Sequence, residues 1–260
     1  MTLIAAAAGP SFGLAMAADS RTSPANYHPG ETFVSNSAPK LIEAHGCLFG
    51  TAAFPRIGER PIRDLICRAP LAAETTAFGT GVALLRYVSA HHTEAARQGL
   101  DVPRETPIHQ SLIGRCEDGI VALALAQLIR HDAGTPLQPD TAGIPIAFMD
   151  ALAFGVVQKL PAASYHLLGE RERVLALLGM TRPNVMSFQA QDAVDFVRFC
   201  VDVEAACQRF ATTASPSSPA QTVGGPVEIA LLDSTGVRWL ARRELSTAQM
   251  VGSRGTSTAE

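Results

Sequence analysis

Residues 2–18 carry no charged side chain, and Gly9-Pro10-Ser11-Phe12-Gly13 cuts this stretch into two short apolar runs, Leu3–Ala8 and Leu14–Ala18. Short apolar runs bounded by turn formers read as strands buried on both faces. Two of them around a Gly/Pro turn predict a hairpin, which belongs inside a layered fold. Asp19-Ser20-Arg21 ends the second run, and residues 22–39 are polar and turn-rich, hence a loop. Lys40–His45 and Cys47–Ala53 predict a second hairpin turned near Gly46.

The middle and end of the chain change character. Leu71–Arg97 has helical apolar spacing. Asp118–His131 predicts another helix, with Asp118 at its start, Gly134 beyond its end, and Val121, Ala124, Leu125, Leu128 and Ile129 on one stripe. Ile144–Met149, Phe154–Val157 and Tyr165–Leu168 predict strands. Gln189–Ala211 predicts a long helix capped by Ser187, with Asp192 in its first turn. Thr212–Thr222 reads as a loop, and Val227–Leu232 and Val237–Leu240 as a closing hairpin around Asp233-Ser234-Thr235-Gly236. The order of strands, helices, strands, helix and strands predicts one α+β domain over residues 2–245, with a disordered tail at 252–260.

Composition narrows the function. With 24 acidic and 21 basic residues and no Lys/Arg stripe, a nucleic-acid partner is not expected. Nor is a membrane partner, since no run reaches the roughly 20 apolar residues of a span. Five irregularly spaced cysteines, with no CxxC pair, suggest neither a disulfide framework nor a zinc site. Ala15-Met16-Ala17 has the form of a signal-peptide cleavage site, but no Lys or Arg precedes it and Gly9, Pro10 and Gly13 interrupt the run. A cytoplasmic protein with reduced cysteines is expected. No P-loop, no G-x-G-x-x-G and no metal-ligand cluster occurs, so no cofactor is expected.

Two places offer a nucleophile. Gly9-Pro10-Ser11-Phe12-Gly13 matches the G-x-S-x-G elbow of serine hydrolases, but only one strand precedes it and the segment that follows is too short for the required helix. The other is Thr2. Removing Met1 frees its α-amine, and one residue then holds a hydroxyl nucleophile and a base of pKa roughly 7.7–8.0. Such a nucleophile needs a nearby cation, a carboxylate to fix that cation, and a backbone N–H aimed at the oxyanion. Asp19 ends the strand beside the first one, Lys40 opens the third, and Ala53-Phe54 ends the fourth. The chain has only two lysines, Lys40 and Lys159, against 19 arginines.

These residues resemble the β-type subunits of the proteasome, within the N-terminal-nucleophile hydrolases. Thr2-Leu3-Ile4 and Ala17-Ala18-Asp19-Ser20-Arg21 are similar to that family's start and its Ala-Ala-Asp-Ser-Arg box. Lys40-Leu41-Ile42-Glu43 is similar to its Lys-Val-Ile-Glu segment, and Gly50-Thr51-Ala52-Ala53 to its Gly-Thr-x-Ala strand end. Gly224-Gly225-Pro226 looks closest to the bacterial ancestral β-subunit branch. The resemblance implies a four-layer αββα sandwich and a threonine-type peptidase or amidohydrolase. Thr2 would be the nucleophile, Asp19 and Lys40 its charge pair, Arg21 a supporting residue, and Phe54 beside Ala53 the source of the oxyanion N–H. It also implies self-assembly into a ring, double ring or spiral, with any ATPase on a separate chain.

There are departures from the family pattern. Phe54 stands where the family has Gly, and Gly169-Glu170-Arg171 where it has Gly-Ser-Gly. Ala220 and Val223 replace a late Asp and Ser, and residues 54–70 look inserted. An inactive, self-assembling ring or scaffold homologue is the alternative these losses suggest.

Overall fold

The computed structural model describes residues 2–21, 39–53, 56–58, 60–99, 108–130, 144–146, 153–211 and 223–242. Phe54, Ala220, most of the loop at 22–39, and the tail lie outside the described residues.

The first hairpin is β1 (Leu3–Gly9) and β2 (Gly13–Asp19), and the second is β3 (Leu41–Ala44) and β4 (Cys47–Ala53). A two-residue ribbon, β5 (Arg56–Ile57) and β6 (Arg60–Pro61), leads into α1 (Ile62–Arg68), and α2 spans Ala77–Arg97. Strands β7 (His109–Glu117), β8 (Ile120–Arg130), β9 (Ile144–Ile146), β10 (Ala153–Leu160) and β11 (Ser164–Gly169) follow. Then come α3 (Glu172–Thr181), α4 (Ala190–Ala211) and the closing hairpin, β12 (Val227–Asp233) and β13 (Gly236–Ala241). One sheet has the order β11-β1-β2-β12-β13 and the other β3-β4-β7-β8-β10-β9. The strand pairs are antiparallel, which makes the fold α+β.

The uncharged stretch at the start is explained by what covers it. Leu3, Ala5 and Ala7 join Ala15, Ala17 and residues of α3 and α4 in one core. Ile4, Ala6 and Ala8 join Leu14, Met16 and residues of β3, β4, β7 and β8 in a second core, shared by the two sheets. Successive residues of a strand face opposite ways, so both halves of the alternation must be apolar here. A third core lies between the larger sheet and α1 and α2.

The helix expected over Asp118–His131 is instead a strand, β8. Asp118 and Gly119 form the turn between β7 and β8, with φ of +49° and +84°. Both values lie in the left-handed region that an Asp-Gly pair tolerates and a tight hairpin requires. Val121 and Leu123 face the core between the sheets, while Ala124, Ala126 and Leu128 face α2, so a doubly buried strand imitated a helical stripe. The expected helix over Leu71–Arg97 begins later, at Ala77, where the Thr76 side chain accepts from Gly79 N. Ser187 does not cap α4; its hydroxyl donates to the Asn184 carbonyl, and Asp192 accepts from Gln189 N at 2.9 Å.

Lys159 lies on β10, exposed, with its ammonium 5.7 Å from the centre of the Phe78 ring. Helix α1 buries Ile62, Leu65 and Ile66, so part of the stretch at 54–70 contributes to a core. No helix among the described residues is long and apolar enough to cross a membrane.

Candidate active site

The register of three strands assembles the site. Ile4 pairs with Ala18, which sets Thr2 beside the end of β2. Val227 pairs with Asp19, which brings the turn before β12 to the same end. Leu3 pairs with Gly169, which places Gly169-Glu170 beside Thr2 on the other edge.

Asp19 is fully buried and is the hub. Its Oδ1 accepts from Thr2 Oγ1 at 3.1 Å, Leu3 N at 2.8 Å and Lys40 Nζ at 2.8 Å. Its Oδ2 accepts from Arg21 N at 3.2 Å and Gly224 N at 3.1 Å. A buried carboxylate needs such partners, because each unmet lone pair would carry a desolvation cost. The Lys40 ammonium also donates to the Arg21 carbonyl at 2.5 Å. Hydroxyl and ammonium therefore meet on one carboxylate oxygen.

Lys40 is 5 % exposed. Burial lowers its proton affinity below that of an ordinary lysine, since the charged form loses water; Asp19, and more weakly Glu228, pull it back up. The result is an ammonium that gives up its proton more readily than a surface lysine does.

Thr2 is held from a third side. Its carbonyl accepts from Glu170 N at 2.8 Å. Gly169 has φ +84°, and a Cβ at that position would lie 1.8 Å from the Thr2 carbonyl oxygen, so only glycine fits. Gly169 and Glu170 thus touch Thr2 through their backbone. Arg21 likewise reaches Asp19 and Lys40 through its N–H and carbonyl. Ala53 ends β4, and Phe54 after it lies outside the described residues.

Ser11 is not assembled into any such site. It sits exposed in the β1–β2 turn, followed by a strand instead of a helix, and donates to the Phe188 carbonyl at 2.6 Å. The elbow reading fails on that geometry.

Three supporting features escaped the sequence. Glu228, 3 % exposed, accepts from Lys40 N at 3.2 Å. Its signal was a lone acid in the apolar run of β12. Gln208 of α4 accepts from Val223 N at 2.9 Å, next to the Gly224 N–H that reaches Asp19. Glu204, fully buried one turn earlier, accepts from Val174 N, Arg173 Nη1 and Gln208 Nε2.

No protein-family model matches the chain, and no curated protein does. Among solved structures the chain is similar to the Anbu (Gly-1) mutant from Hyphomicrobium sp. strain MC1, with 13 % identity and a TM-score of 0.53. The match covers 93 % of this chain and 87 % of that one. At this identity the likeness speaks for the fold alone, and the fold it speaks for is proteasome-like.

Proposed function

We propose that the chain is a threonine-type N-terminal-nucleophile hydrolase that cleaves peptide or other amide bonds. The observation that carries this reading is the convergence of Thr2 Oγ1, Leu3 N and Lys40 Nζ on Asp19 Oδ1 in a buried setting. With Met1 removed, the Thr2 hydroxyl adds to the substrate carbonyl and its proton passes to the free α-amine. The Lys40 ammonium, held by Asp19, favours the unprotonated amine and stabilises the developing alkoxide. The backbone N–H at position 54 takes the oxyanion. The α-ammonium then protonates the leaving amine as the C–N bond breaks, which leaves an ester on Thr2. Water adds to that ester, giving its proton to the amine, and the acid departs with the Thr2 hydroxyl restored.

The same reading assigns the chain a four-layer αββα sandwich, a single domain over 2–245 and an insertion at 54–70. The three cores and the arrangement of the two sheets support the layering. It also assigns self-assembly into a ring, double ring or spiral, a cytoplasmic setting, and a separate chain for any ATPase. A second reading, an inactive scaffold of the same fold, is favoured by Glu170 and the buried Val223 standing where the resemblance calls for serines.

An epoxyketone or β-lactone probe separates the two readings. The hydrolase reading expects intact mass without Met1 and a covalent adduct on Thr2 that Thr2→Ala abolishes. A folded protein that keeps Met1 and takes no adduct would establish the scaffold instead.

A further inference from the structure

Glu228 is the one carboxylate on β12 that points between the sheets, in a run otherwise built of apolar residues. It pairs in register with Ala18, one residue from Asp19. Its Oε2 accepts from Lys40 N at 3.2 Å and makes a longer contact, 3.5 Å, with Leu41 N. Those two N–H groups open β3, and the Lys40 carbonyl is fixed separately by Thr51 N at 2.9 Å and Thr51 Oγ1 at 3.3 Å. The backbone of Lys40 is therefore clamped on both sides while its side chain extends to Asp19.

A neutral side chain could accept the same two hydrogen bonds. Burying a carboxylate for this purpose is costly, and the lasting consequence of choosing one is its charge.

We propose that Glu228 is a positioning residue for the Thr2 site: it fixes the start of β3 so that the Lys40 ammonium reaches Asp19, and it stands behind that ammonium as a second negative neighbour. The charged groups around the pair come from three further segments. Asp19 and Arg21 lie at the end of β2, Arg63 on α1, and Arg242 just after β13. Asp19 and Glu228 hold the proton on Lys40, and Arg21 opposes them. The catalytic meaning of the inference rests on the hydrolase reading, whereas the placement can be read without any acylation.

The scarcity of lysine makes the test direct. Protein grown with lysine carrying carbon-13 at Cε shows two side-chain signals, and Lys159→Arg assigns them. In Glu228→Gln, which keeps an acceptor oxygen and loses the charge, the Lys40 signal should titrate lower than in wild type by roughly half a pH unit or more. Lys159 should not move. The alkaline limb of Thr2 labelling by the β-lactone should shift down by the same interval.

An unchanged Lys40 titration in folded Glu228→Gln would overturn the proposal. If the titration shifts but wild type takes no label, the hydrolase reading falls and the placement stands. Should Glu228→Gln fail to fold, the wild-type amide signals of Lys40 and Leu41 decide: they should move together as Glu228 takes up its proton on acidification, and silence there would also overturn the proposal.

Discussion

Gly169→Ala tests how the site holds Thr2. The new methyl would lie 1.8 Å from the Thr2 carbonyl oxygen and 2.8 Å from its carbon, so the start of β1 must retreat by more than an ångström. Three costs follow. An alanine at φ +84° is strained by about 1–2 kcal/mol. The Glu170 N bond to the Thr2 carbonyl is lost or stretched, at about 1 kcal/mol. The Leu3–Gly169 pairing is then pushed apart. Together these predict a loss of about 2–4 kcal/mol in denaturant unfolding.

Gly46→Ala is the control, because its φ is +70° and nothing lies within 4 Å of the added carbon. It should lose only the backbone strain, about 1–2 kcal/mol. Displacing the nucleophile by an ångström should slow Thr2 labelling on the order of a hundredfold in Gly169→Ala and leave Gly46→Ala near wild type. Equal losses of stability in the two variants, with wild-type labelling in both, would refute the claim that Gly169 is chosen for its contact with Thr2.

Lys40→Arg should fold but lose acylation, because a wide planar guanidinium fork cannot take the place of the compact ammonium that meets Asp19 Oδ1 and the Arg21 carbonyl beside the Thr2 hydroxyl; unfolding curves and probe labelling check the two halves. Gln208→Ala removes the acceptor for Val223 N and should destabilise by about 1–3 kcal/mol while slowing labelling through the adjacent Gly224 N–H, as read by the same pair of measurements. His109, fully buried on β7, has its pKa pushed down to about 4 by desolvation. Between pH 6.5 and 4 the unfolded chain takes up a proton that the folded one refuses. Stability should therefore fall with pH across that window by roughly 3 kcal/mol from this residue, and His109→Gln should flatten that part of a stability–pH profile.

The elements that were legible in the sequence share a physical trait. The first two hairpins, α4 and the closing hairpin are each marked by local punctuation or by a period with one polar face, and both signals survive without neighbours. Strand β8 has no polar face, and the Asp118-Gly119 turn before it also reads as a helix start. Residues of β8 face a core on each side, so its apolar residues follow no alternation and fall by chance onto three- and four-residue steps. The Asp118-Gly119 pair was the better guide, because it specifies a backbone conformation, whereas an apolar stripe specifies only burial.

The site divides along the same line. Thr2, Asp19 and Lys40 were legible because their chemistry lies in side chains at telling positions. Most of what holds them lies in main-chain groups, and an N–H has no residue type to betray it. Asp19 draws its five donors from the start of β1, its own following turn, the residue before β3 and the turn before β12. Only strand register brings those segments together, and register is a property of pairing between distant runs. Glu228 shows what can still be recovered from sequence. A charged residue inside a run that buries both faces must meet a donor there, because the cost of leaving it unmet would exceed what one strand can offset. Such a residue marks the strand that will cross a polar centre before the centre itself is known.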